Sequence, residues 1–355
     1  MKNFKNYLNR LFIDGLSGMA LGLFATLIIG TIIKQIGSYI PGAVGYYLIL
    51  IGQCASLLTG AGIGIGVAVK LNEKAPLLVI SAATAGLIGA YASKIIAGKF
   101  YADNIFTFSA PGEPLGAFIA AYTAIEVGRL VSGKTPVDII VTPFVTIISG
   151  SAIGLLLGPP ISGFMAFLGN LVNINVDEHH IIGSIIVSVL MGIFLTLPIS
   201  SAAIGISMGL SGLAAGAATI GCCANMIGFA AISYRENRFG GAVAQGLGTS
   251  MLQMPNIVKK PVIWLPAIIA SAILAPVSTS MGMISNSIGS GMGTAGLVGP
   301  INTYITMTAD GMSPLVTMVE IVSMYFLFPA LISLFCSEIM RKFGIIKEGD
   351  LRLDL

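Results

Sequence analysis

Charged residues gather in narrow clusters along this chain, and the runs between them are apolar over bilayer-crossing lengths. A transmembrane helix needs about 20 mostly apolar residues. On that rule the pattern predicts spans near 15–37, 46–69, 76–97, 115–131, 137–157, 159–176, 181–197, 203–232, 262–283 and 314–339. Ile181 to Leu197 carries no charge. Segment 159–176 is short and opens on Pro159 and Pro160, which suits a half-span. Two stretches resist being plain helices. Gly240 to Lys260 is apolar but glycine-rich between basic flanks, which predicts a hairpin that enters and returns on one side. Met281 to Met307 is dense in glycine and serine, and Pro300 is expected to break any helix there. Irregular backbone at membrane depth is tolerated only where protein or a water-filled cavity satisfies it. Paired broken segments in transporters mark the binding site. The plainer alternative is that these glycines only let helices pack closely. The expected fold is an all-α polytopic membrane protein: about ten transmembrane helices with two re-entrant hairpin-like segments, one domain over 1–355.

Composition agrees. Charged residues are 9% of the 355, against a usual share of about 25%. The mean hydropathy is +0.93, so lipid is the expected solvent for most of the surface. No long polar block is present, which argues against a soluble domain. The basic opening MKNFKNYLNR precedes a run from Gly15 to Ile40 that is too long for a signal-peptide core, which predicts a retained first span. With the N-terminus inside, alternation leaves only Lys34, Lys94 and Lys99 of the 18 lysines and arginines outside. That bias places both termini in the cytoplasm. The net charge of +3 is scattered without a basic stripe, so nucleic acid is not an expected partner. Cys54, Cys222, Cys223 and Cys336 lie in apolar context without metal-ligand spacing, and read as buried, inert thiols. No metal or cofactor is expected.

An ionisable group inside a membrane is expensive, so each one raises a functional question. Glu113 lies in SAPGEPLGAF, a stiff turn ahead of a predicted span. A carboxylate there suits sugar hydroxyls, or serves as an ordinary cap. Glu126 and Arg129 are three apart, a spacing that pairs them on one helix face. Asp138, after GKTPV, reads as a helix start. His179 and His180 follow Asp177 and Glu178 in the only histidine cluster; it binds hydroxyls, exchanges protons or forms a solvated turn. Asn225, the PISS run at 198–201, Asn286, Asn302, Thr303 and Asp310 add uncharged donors and acceptors, and Glu320 lies in the last span. Amides and hydroxyls with few carboxylates suit a neutral polyol better than an ion. No nucleophile elbow, phosphate loop or dinucleotide fingerprint is found in a believable context.

The run PGEPLGAFIAAYTAIEVGRLVSGKTPVDIIVTP, with PISSAAI and GSGMGTAGLVGP downstream, resembles the membrane IIC component of the bacterial sugar phosphotransferase system. It looks most like a stand-alone branch whose members include regulators of toxin expression (PfoR-like). The resemblance covers nearly the whole chain and is most specific over 110–144. It implies a homodimeric inner-membrane permease that takes up a sugar while a separate IIB protein phosphorylates it. It also implies that Glu113 matches a sugar-contacting Glu-Pro motif and that His179 or His180 stands for the sugar-contacting histidine, in reversed order along the chain. The expected substrate-binding set is Glu113, His179, His180, Asn225, Asn302 and Glu126. Two other readings stay open. One is a membrane sensor or regulator on the same fold; the other is a proton-coupled transporter using Glu126, Glu320 or the histidines.

Overall fold

In the computed structural model, residues 10–102, 105–106, 108, 112–173, 180–199, 201–207 and 209–353 are described. The chain divides into two units, Met1–Phe164 and Met165–Leu355.

The first unit is a set of apolar helices. α1 (Arg10–Tyr39) carries π-helical turns at Arg10–Gly15 and Phe24–Ile28. α2 (Ala43–Leu57) and α3 (Thr59–Lys70) meet at a 54° bend. The sequence pattern reads 46–69 as one straight span, because an apolar run does not reveal a bend. The Tyr91 hydroxyl donates to Leu57 O at 3.3 Å, which engages a carbonyl that the bend opens. α4 (Pro76–Ile96) and α5 (Pro114–Gly128) follow, joined through the short strands β1 (Tyr101–Ala102) and β2 (Ile105–Phe106). α6 (Asp138–Asn173) is one helix of 36 residues where two spans are expected. Pro159 and Pro160 lie inside it, and the Ser93 hydroxyl donates to the neighbouring Gly158 carbonyl at 2.9 Å. Such outside donors let a membrane helix continue through proline. Asp138 opens α6, where an acidic group suits the helix dipole, and its Oδ1 accepts from Gly133 N at 2.8 Å and from the Thr142 hydroxyl at 2.6 Å.

Lipid tails are as apolar as leucine, so close packing drives helix association here. Gly18 and Gly22 of α1 abut Gly66 and Gly62 of α3, and a Cβ on Gly18 would lie 2.5 Å from Gly66 O. Outward, Ile139, Ile140, Phe144 and Leu156 of α6 are exposed, the face that lipid covers.

The second unit is built around α9. Before it come α7 (His180–Thr196) and α8 (Ser201–Ser207); α9 itself is Gly212–Ile232, buried almost throughout. α7 and α9 run parallel: a Cβ on Gly221 would strike Ser188 O, and Gly192 faces the Asn225 amide. Sequential spans run antiparallel, so the chain must return between them. The described residues between them, 197–199, α8 and 209–211 with the positive φ of Gly209, belong to that return. The expected single span 203–232 is therefore a short helix, a break and a long helix.

Gly240 to Lys260 is a series of short pieces: α10 (Tyr234–Val243), a π turn Ala244–Gly248, a 3-10 turn Ser250–Gln253 and α11 (Met254–Lys259). α12 (Leu265–Ser280) then crosses back. Segment 281–297 is irregular, with an α-helical turn at Ser287–Ser290 and a 3-10 turn at Ala295–Leu297. α13 (Val298–Ala309) begins just ahead of Pro300, so that proline sits in a first turn, where no intrahelical N–H is lost, and does not break the helix. α14 (Pro314–Lys342) closes the unit, with a π-helical stretch at Val322–Leu327.

Among the described residues, five helices are long and apolar enough to cross a membrane, six with the bent pair; Pro76–Ala90, Pro114–Gly128 and Ile181–Thr196 are shorter apolar helices. One element fewer than the sequence pattern predicts results where α6 runs through both 137–157 and 159–173. Cys222 and Cys223 are buried as expected, but Cys54 is exposed and Cys336 partly so.

Candidate solute site

Glu113 sits where its turn chemistry predicts, as the N-cap of α5. Gly112 reaches φ +81, and a Cβ there would lie 2.8 Å from both Cβ and O of Ala90. That contact lets Glu113 N donate to Ala90 O at 2.8 Å, which locks the turn onto the end of α4. Among the described residues the carboxylate accepts one long hydrogen bond, from Leu115 N at 3.5 Å. A carboxylate offers about four acceptor positions, so most of its capacity is unspent. Tyr91, next in sequence to the Ala90 that Glu113 N reaches, packs against Phe100 and Phe108 at centroid distances of 5.1 and 5.3 Å, and Phe106 joins Phe100 at 5.7 Å. Phe106 and Phe108 keep exposed faces.

Asn225 lies at the centre of a buried polar knot in the second unit. Its Nδ2 donates to Gly221 O at 3.0 Å and to Ser271 Oγ at 3.2 Å. Its Oδ1 accepts from Trp264 Nε1 at 2.8 Å and from Thr196 Oγ1 at 3.3 Å. Thr196 also meets Ser250 Oγ at 2.8 Å, which ties the first broken segment to the knot. Two donors and two acceptors fill the amide. Asn302 is likewise engaged: Nδ2 donates to Val298 O at 2.8 Å, and Oδ1 accepts from Asn286 Nδ2 at 2.9 Å. The two broken segments touch directly, Thr294 donating to Gly246 O.

A family model described as "Phosphotransferase system, EIIC" matches residues 13–353. This chain belongs to the EIIC family. No curated protein matches it. The EIIC chain is thus an all-α polytopic membrane protein and a permease of the phosphotransferase type, and its family implies a IIB protein as partner.

The expected site residues of this EIIC permease fall into separate places. Glu126 ends the helix that Glu113 begins, about 20 Å away at 1.5 Å per residue. There Glu126 is held by Arg10 at 2.8 Å and Arg129 at 3.6 Å, while Glu73 is held by the same two arginines at 3.0 Å each. Four charges close a ring that ties the start of α1 to the ends of α3 and α5. Asn225 and Asn302 belong to the second unit, in distinct networks. His179 lies outside the described residues, and His180 opens α7.

Sequence reasoning found the Glu126–Arg129 pair but missed Arg10 and Glu73, whose partnership spans 63 residues. It also missed Trp264 as the donor to Asn225. A signal existed: the chain has one tryptophan, and a buried indole N–H seeks a partner.

Proposed function

We propose that this EIIC permease carries a small sugar by alternating access, with Glu113 as the carboxylate that its hydroxyls meet. The whole chain acts as one transport domain, as a homodimer in a bacterial cytoplasmic membrane. A separate IIB protein phosphorylates the sugar as it emerges. Glu113 supports the reading most directly: a carboxylate with spare acceptor capacity, on a turn fixed to the Ala90 carbonyl, suits the hydroxyl edges of a sugar, and the aromatic cluster that starts at neighbouring Tyr91 offers exposed ring faces for its C–H faces. Asn225, Asn302, Glu126 and the His179–His180 pair are further candidates, reached in other conformations of the cycle.

Both termini in the cytoplasm is the orientation that charge favours. Arg10, Glu73 and Arg129 gather at one end of the first unit, while Lys94 lies at the far end of α4.

The test is binding of hexoses, pentoses and polyols to purified protein, followed by phosphoenolpyruvate-driven uptake in vesicles supplied with IIB. Wild type binds at least one sugar, and Glu113→Gln weakens it by roughly tenfold or more, the value of a hydrogen bond to a charged group. Equal binding by Glu113→Gln refutes the role of Glu113. Binding without flux points to a regulator, and uptake that follows the proton gradient alone points to a secondary transporter.

A further inference from the structure

The last ten described residues are bound, main chain first, by side chains of the first broken segment. Asn237 Nδ2 donates to Leu351 O at 2.8 Å, and its Oδ1 accepts from Leu353 N at 2.8 Å. Gln253 Nε2 donates to the same Leu351 O at 2.9 Å, and Asn256 Nδ2 donates to Arg352 O at 2.8 Å. The amides are chained to one another. Gln253 donates to Gln245 Oε1 at 2.9 Å, and Asn256 donates to Gln253 Oε1 at 2.8 Å. Gln245 donates on to Ser233 Oγ and Gly241 O. Ile346 and Leu351 are buried, and Lys260 Nζ pairs with Asp350 Oδ2 at 2.6 Å. Gly349 N donates to Glu236 Oε1 at 3.2 Å.

This arrangement has a mechanical consequence. Segment 234–259 consists of pieces of ten residues or fewer, each too short to be stable alone. Its order depends on outside contacts, and the tail supplies a large share of the polar ones. The segment in turn touches the end of α7 through the Thr196–Ser250 contact and the second broken segment through Gly246 and Thr294. We propose that the C-terminal tail is a latch: docked, it immobilises both broken segments, and its release is the step that lets them move. The latch works by reading main-chain groups with three side-chain amides, Asn237, Gln253 and Asn256, which Gln245 backs, anchored by Leu351 and fastened by the Lys260–Asp350 pair. The inference does not depend on which solute the permease carries.

The test places a reporter thiol at buried Ser250 (Ser250→Cys) in full-length protein carrying Cys54→Ser and Cys336→Ser, and follows maleimide labelling in detergent by mass spectrometry. Slow labelling is expected with the tail intact. Deleting 344–355 is expected to raise the rate at least about tenfold, since several hydrogen bonds to the segment are lost together. Asp350→Lys alone is expected to raise it several-fold, and Lys260→Asp with Asp350→Lys is expected to restore slow labelling. Should the truncated protein fail to fold, the point variant and its charge swap decide. An unchanged rate in folded Asp350→Lys and truncated protein would overturn the latch.

Discussion

Replacing Asn225 by leucine tests the polar knot most sharply, because shape is nearly kept while four hydrogen bonds are removed. Three of those bonds leave α9: to Ser271, from Thr196 and from Trp264. Interhelical hydrogen bonds in membrane proteins average only about 0.6 kcal/mol, because the unfolded chain in lipid also finds partners. That contributes about 2 kcal/mol. Not every partner is stranded. Thr196 keeps Gly192 O and Ser250, and Ser271 keeps Ala267 O. The Trp264 indole has Asn225 as its hydrogen-bond acceptor and loses it. A stranded buried donor costs about 1–3 kcal/mol, and for the partly buried Trp264 the low end applies. The expected loss is near 3 kcal/mol, roughly a hundredfold in the unfolding equilibrium. Reversible unfolding in mixed micelles measures it, and Trp264, the sole tryptophan, reports it by fluorescence. The emission maximum of folded Asn225→Leu should also move. A loss under about 0.5 kcal/mol, with unchanged emission, would refute the reasoning.

In the ring of charges, Glu73→Ala is expected to cost more stability than Arg129→Ala, because the Glu73 side chain is 10% exposed and that of Arg129 is 42% exposed; exposed pairs are worth about 0–1 kcal/mol, and thermal unfolding of the two variants ranks them. Gly112→Ala forces a side chain to φ +81 against Ala90, so Glu113 should lose its fixed place and sugar affinity should fall with the fold retained, as binding and circular dichroism would show. Asp350 titrates with the tail: burial works to raise its pKa, but hydrogen bonds from Lys260 and Lys347 N and the two lysine charges outweigh it and hold it below the usual carboxylate range. Docking strength from this group is therefore full above about pH 4 and is lost as pH falls through the depressed value. Proteolysis of the tail at graded pH should show protection down to that point; release near neutral pH would contradict it.

Composition and charge clustering were enough to establish a polytopic helical membrane protein, because crossing lipid demands long apolar runs whatever the packing. Local chemistry was legible where it acts within a few residues. The Glu113 cap, the Glu126–Arg129 spacing and the Asp138 helix start all lie within one turn of chain, and each stands as read. The glycine- and serine-rich texture marked broken backbone over 240–260 and 281–297, whereas 298–307 is regular helix in spite of Pro300. Tertiary structure decided what depends on distant partners. Ser93 supports α6 beside its diproline, and Tyr91 engages the bend between α2 and α3; neither donor is adjacent in sequence to what it supports. The parallel run of α7 and α9 follows from Gly221 against Ser188, a contact that hydropathy does not encode. Asn225 and Asn302 read as open polar groups in the sequence, yet folding supplies each with internal partners. An apolar run states that a segment prefers lipid or protein to water, and the contacts made on folding choose its path.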